Sequence, residues 1–294
     1  SAPNHRLDTI VDILLGEKKH SVSYKQIPLL YRRDDDGRAV VGAYCVHDSV
    51  LVHKLFCKLL FHYEASAIAR LSNISMNRVI FDGQQSRIYT CMLAAARKED
   101  LIIPSIEEAG EDTYQGATVL EPKTGFYNTP VAVFDFASLY PSIIQAYNLC
   151  YCTLVTDETD RLIGDDDVTT VTTNTGRKHR FVKPHIRKSI LSQLLTSWLA
   201  ERKAVREKLK QCSDPLMQIL LDKQQLALKL TCNAVYGFTG VSRGMFPCLP
   251  IAESVTAQGR QLLATTRQYI CDRFNDWNFL VDISPVLKEC AVDS

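Results

Sequence analysis

Asp135 closes an apolar run, VAVF at 131–134, and FASLYP follows it, so a carboxylate stands at the end of the most strand-like stretch of the chain. Burying such a group without a partner is costly, so a partner is expected. A carboxylate at a strand end, beside a loop entering a helix, is a ligand for a hard divalent cation such as Mg²⁺. The backbone amides at Ser138 and Leu139 could receive phosphate oxygens near that helix start. The alternative is that Asp135 merely caps the turn. Mg²⁺ needs at least one more carboxylate or several phosphate oxygens, and one aspartate does not make a metal site.

A second set of residues carries positive charge. Arg202 and Arg206 stand four apart and share a helix face, and Lys229, Asn233 and Tyr236 follow i, i+4, i+7 spacing. Guanidiniums give bidentate geometry and an ammonium a compact charge, a combination that suits a polyphosphate. The alternative leaves Arg202 and Arg206 facing solvent.

Long helices must carry that set. One is predicted from about 186 to 211 and the next from 216 to about 236, ending near Gly237. CSDPL at 212–216 breaks them, with Asp214 as N-cap and Pro215 at the first helical position. So short a connection implies an antiparallel hairpin, with both basic sets at similar depths from the turn. Helical periodicity also marks 48–71, 84–99 and 252–274, and a helix is expected after Pro141. RRDDDGR at 32–38 reads as a charged turn punctuated by Gly37, and 113–136 as a β-hairpin or a strand pair. The Thr/Asp-rich stretch 156–180 reads as a surface excursion.

Composition sets wider limits. Net charge is +1, so no overall basic character announces nucleic acid, yet residues 177–210 hold eleven Lys/Arg against Glu201 and Glu207. Residues 99–121 hold seven acids and no Lys or Arg. Ten cysteines without a C-x-x-C pair fit free thiols in a reducing compartment better than a disulfide framework or a zinc site. No signal peptide or membrane-spanning stretch is read from the sequence, and a chain beginning at Ser1 is expected to be a fragment of something larger.

DFASLYPSIIQAYNLCY (135–151) resembles motif A of family B DNA polymerases, and KLTCNAVYG (229–237) resembles their motif B, with ERKAVR (201–206) between them. YGFTGV (236–241), DGQQ (82–85) and LLDKQQLA (220–227) look like herpesvirus DNA polymerases, and NAVYGFTG with IAESVTAQGR (251–260) most like the gammaherpesvirus branch. By that resemblance Asp135 and the Phe136 carbonyl bind Mg²⁺. Ser138, Leu139 and Tyr140 line the nucleotide site, with Tyr140 as the steric gate against a ribose 2′-hydroxyl; without the family it reads as a core aromatic. Arg202, Arg206, Lys229 and Asn233 would hold the triphosphate, and Tyr236 would pack beneath the nascent pair. YCVHD (44–48) resembles the third exonuclease motif, making Asp48 a metal ligand and Tyr44 a positioner of water; a helix-capping Asp48 is the alternative. YQGA (114–117) resembles the linker element that touches the template, so Tyr114, Gly116 and also Gly237 are expected DNA contacts, or else 114–117 is an ordinary turn.

The implied fold class is α+β, a family B polymerase fragment with an exonuclease-domain tail, a partial palm sheet and α-helical-hairpin fingers. Its expected parts are the exonuclease tail (1–60), a helical connecting region (61–112), the first part of the palm (113–184), the fingers (185–240) and the second part of the palm (241–294). The implied activity is DNA-directed DNA polymerisation with 3′→5′ exonuclease, with partners primer–template DNA, dNTPs and a viral processivity subunit, no membrane, and a location in the host nucleus. Motif C and the first two exonuclease motifs are absent, and Ala234 stands where many members have serine. The piece alone is therefore expected to be inactive. A non-catalytic nucleic-acid-binding protein keeping the fold is the runner-up, and a helical interaction module the third reading.

Overall fold

The computed structural model describes residues 3–104, 116–129, 131–241 and 244–284. The chain divides into two compact units, 1–68 and 69–294, and the division falls inside one helix.

The first unit is helical: α1 (Leu7–Leu15), α2 (Ile27–Arg33), α3 (Asp35–Leu59) and the first half of α4 (Phe61–Ser72). The expected turn at 32–38 shrinks to a single residue. Asp34 is extended, and its side chain accepts the Gly37 amide at 2.6 Å, which starts α3 well before residue 48. Gly37 lies inside that first turn, where a Cβ would overlap the Leu30 carbonyl; the glycine permits the close approach of α2. The sequence reads as having no membrane-spanning stretch, yet by length and apolarity alone α3 is long and apolar enough to cross a membrane, with mean hydropathy 1.2. It also carries Asp48 and Lys54, ion-paired to Lys19 and Glu17.

The second unit is built around helices α5 (Met76–Phe81), α6 (Gln84–Lys98), α7 (Leu139–Ala146), α8 (Asp157–Asp160), α9 (Ile190–Gln211), α10 (Pro215–Gly240), α11 (Leu249–Phe274) and α12 (Trp277–Ile283). Its core gathers Ile88, Ile144, Leu191, Leu195, Phe238 and Ile251 from α6, α7, α9, α10 and α11. Local signals start the long helices: the Ser189 hydroxyl accepts the Ser192 amide at 2.9 Å, and Asp214 accepts the Leu216 amide at 3.0 Å ahead of Pro215. α9 and α10 pack as the expected hairpin. α10 runs through Gly237 to Gly240, because Phe238 and Thr239 are buried and their packing outweighs the weak helix propensity of glycine.

β1 (Val168–Thr172) and β2 (Lys178–Val182) form an antiparallel pair, with Val168 opposite Val182 and Thr172 opposite Lys178. The region read as a surface excursion is thus the sheet of the described residues. Val171 and Phe181 are buried on one face and Val168 and Val182 on the other, and Gly176 at φ 81° closes the turn in a backbone region that favours glycine. Glu253, buried on α11, holds the hairpin through His179 at 2.6 Å and Arg177 at 3.3 Å.

The strand expected before Asp135 does not form. Residues 131–135 lie outside any strand and are exposed, as are 116–129, while 113–115 lie outside the described residues. A β-prone segment becomes a strand only when a neighbour takes its backbone groups, and among the described residues none flanks this one. Asp135 is therefore at the surface, which removes the burial cost that first made it conspicuous.

Candidate nucleotide site and metal ligands

The chain enters α7 through Asp135, Phe136 and Ala137. Ser138 is in the left-handed region at φ 55°, and its side chain does not cap the helix, so the first amides of α7 are left for another acceptor. Leu139 and Tyr140 occupy the first turn, and both pack partly buried against the core.

A buried hub fixes where α7 points. Asn148, buried at φ 55°, donates from Nδ2 to the Val182 and Arg187 carbonyls at 2.8 Å each, and its Oδ1 accepts the Ser189 amide at 2.9 Å. The Ser189 hydroxyl that caps α9 also donates to the Leu149 carbonyl at 3.1 Å. One side chain thereby ties the end of α7 to the end of β2 and the start of α9, with its amide fully satisfied. Tyr151 adds a second tie: its hydroxyl donates to the Phe246 carbonyl at 2.6 Å, and the two rings stack with centroids 4.2 Å apart. Burial pushes the Tyr151 phenol well above its ordinary range.

With α7 so placed, the ring of Tyr140 meets that of Tyr236 on α10, centroids 4.5 Å apart and tilted 43°. On the same helix Lys229, Asn233 and Gly237 are exposed, leaving an open polar face beside the aromatic pair. Arg202 Nε donates to the Gln225 Oε1 at 3.3 Å, which sets the level of α9 against α10. Arg206 then lies one turn nearer the hairpin turn and Lys229 one turn farther, each about 6 Å along the axis. The charges are thus spread as a ladder, where spacing alone suggested a similar depth. Arg202 is half-buried by its partner and Arg206 is exposed, so the solvent-facing alternative describes Arg206 better than Arg202. Gln225 carries no charge and so does not stand out by charge or spacing; its place in LLDKQQLA is the signal the sequence offers for it.

Among the described residues no three His, Cys, Asp or Glu side chains gather as a metal site. Asp135 and the Phe136 carbonyl fit part of one: an exposed carboxylate is available to a hard cation, and the remaining oxygens must come from elsewhere. The cysteines described are all free. Close to the hub, a hydrogen bond from the Cys150 thiol holds Cys152 down to about 6, with Arg187 adding to it; giving that bond, and burial, push Cys150 up.

In the first unit Tyr44 and Asp48 lie one turn apart in mid-α3, so Asp48 does not cap a helix. Lys19 bridges them, its ammonium 2.8 Å from the Asp48 carboxylate and 5.0 Å from the Tyr44 ring centre. The bond to Asp48 raises the Lys19 pKa, with Tyr44 adding to it. The other Asp48 oxygen, Oδ1, is buried without a protein partner. Tyr114 lies outside the described residues. Gly116 is exposed, and its carbonyl accepts Arg260 Nη1 at 2.7 Å.

The family whose description matches is DNA polymerase family B, over residues 74–290. The chain is 86% identical over its whole length to the DNA polymerase catalytic subunit of Elephantid herpesvirus 1, and covers 28% of it. It is 52% identical over 95% of its length to that of Rhesus cytomegalovirus, covering 28%. It is 51% identical over 92% of its length to that of Epstein-Barr virus, covering 27%. The near-equal last two do not single out the branch the motifs suggested. Among solved structures, a family B DNA polymerase from the hyperthermophilic archaeon Pyrobaculum calidifontis superposes with TM-score 0.70 at 28% identity, over 91% of this chain and 34% of that one. The chain thus spans little more than a quarter of the length of these viral relatives.

Proposed function

This chain belongs to DNA polymerase family B, and we propose that it forms the nucleotide-binding part of a herpesvirus DNA-directed DNA polymerase. The contact between Tyr140 and Tyr236 carries this reading: two separated motifs converge there, beside the open face of Lys229 and Asn233. In this reading Arg202, Arg206, Lys229 and Asn233 hold the triphosphate along the hairpin, and the first amides of α7, at Ser138 and Leu139, take its oxygens. Tyr140 blocks a ribose 2′-hydroxyl, and Tyr236 supports the nascent base pair. Asp135 and the Phe136 carbonyl supply part of the ligand set for Mg²⁺, which when bound activates the primer hydroxyl and stabilises the leaving pyrophosphate. Gly237 and Gly116, with Tyr114, are assigned to DNA contact.

Residues 1–60 are assigned to the tail of a 3′→5′ exonuclease domain, with Asp48 and Tyr44 as one part of its site. The buried, unpartnered Asp48 oxygen supports that role, and Lys19 occupies the other oxygen. Units 61–112, 113–184, 185–240 and 241–294 are assigned as connector, palm, fingers and palm. Primer–template DNA, dNTPs, a processivity subunit and the host nucleus follow from the resemblance.

Primer extension by the full-length polymerase carrying this segment tests the proposal. Asp135→Asn should lower kcat/KM by about a thousandfold or more, while the melting temperature stays unchanged because the side chain is exposed. Extension at the parental rate by that variant would sink the assignment.

A further inference from the structure

Gly259 lies in the middle of α11 and is buried. Glycine weakens a helix interior relative to alanine, so a buried mid-helix glycine calls for a packing reason. The neighbours supply it: a Cβ at Gly259 would stand 3.4 Å from Tyr140 Cε1, 3.8 Å from Ile143 Cδ1 and 3.9 Å from Leu139 Cδ2. A single carbon added at 259 therefore already touches the Tyr140 ring, and a larger side chain presses further on it. On another side the ring meets Tyr236 at 4.5 Å.

We propose that Gly259 is a positioning residue for Tyr140, and so a determinant of sugar discrimination and nucleotide affinity. The inference rests on the reading of Tyr140 as the gate and names what holds the gate in place. A branched side chain at 259 leaves the ring two ways to move, against Tyr236 or out toward the nucleotide. Ile143 and Leu139 are anchored on α7 and do not retreat with it. Either movement makes a dNTP fit worse, while a ribonucleotide is already rejected. The dNTP-over-rNTP ratio of kcat/KM therefore falls through a rise in dNTP KM.

The test is single-nucleotide incorporation by the full-length polymerase, with a dNTP and its matched rNTP. Gly259→Val should raise dNTP KM and lower the ratio by about tenfold or more, the scale of a methylene or two misplaced in a pocket. In a Tyr140→Ala background the same substitution should have no further effect, since the ring it would push is gone. Gly259→Ala guards against misfolding: its melting temperature should match or exceed the parent's, since alanine is the better helix former, and its ratio should shift in the same direction by less. Equal effects of Gly259→Val with and without the Tyr140 ring would overturn the proposal by showing a merely structural role. A ratio untouched by Tyr140→Ala itself would instead remove the gate reading, and this inference with it, without touching the Asp135 test.

Discussion

Two short stretches reverse what their compositions suggest. VAVF at 131–134 is the most apolar run near the site, yet Val133 is 87% exposed and forms no strand. VTTVT at 168–172 is mostly threonine, yet Val171 is fully buried in a paired strand. The difference lies in where each finds its hydrogen-bond partner. β1 has β2 five residues away through a glycine turn, and α11 behind it with Glu253 as anchor. The stretch 131–134 has no strand beside it among the described residues, and apolar side chains alone do not make a ladder.

The comparison can be broken most directly by putting a charge in each stretch. Val171→Asp should cost about 4 kcal/mol or more, since it buries a carboxylate opposite His179, whose ring is already engaged by the buried Glu253. Val133→Asp should change stability by no more than about 0.5 kcal/mol, as exposed positions do. Paired urea titrations of the chain decide it, and similar losses at both positions would refute the contrast.

A somewhat smaller effect tests the hub that joins the hairpin to α7 and α9. Asn148→Ala leaves the Val182 and Arg187 carbonyls and the Ser189 amide without their partner, and should cost about 3 kcal/mol. Asn148→Asp retains the acceptor but loses the donors, and should be intermediate at best. A loss under 1 kcal/mol for the alanine variant would mean that the hub is not what fixes α7.

The smallest effect on stability, and the sharpest on chemistry, concerns Cys152. The Cys150 and Arg187 contacts lower the Cys152 pKa to about 6, whereas burial pushes Cys91, Cys232 and Cys248 up to about 11. Alkylation of the native chain by iodoacetamide should therefore label Cys152 ahead of those three. Its rate should rise through pH 6 and level off before pH 9, where an ordinary thiol only begins to ionise. A folded pKa below the unfolded one also means that this thiolate stabilises the fold at high pH, and that the contribution fades as pH falls through 6. Labelling that climbs only above pH 8 would show that the Cys150 and Arg187 contacts do not act on it.

Much of the helical frame was legible in the sequence because its signals are local. Asp214 with Pro215 marks the start of α10, and the apolar spacing of α9 and α11 marks the faces that enter the core. The charged turn at 32–38 was misread because Gly37 serves a close approach of two helices, which looks in sequence like a chain reversal. The hairpin at 168–182 reads as solvent-facing because of its threonines, although the unbroken run of β-branched residues at 168–172 and the NTG turn are in the sequence.

By itself the sequence determined the family, through motifs specific enough to name it, and marked the residues proposed to carry chemistry: a carboxylate before a helix start and basic residues on two long helices. Tertiary structure alone decided how those residues stand to one another. It placed Tyr140 between Tyr236 and a glycine on α11, set Arg202 level with Gln225, and left Asp135 at the surface. The physical reason is that type and spacing record interactions within a turn or two of chain. Ring contacts, helix levels and strand partners depend on side chains far apart in sequence, and packing settles them only when the chain has folded.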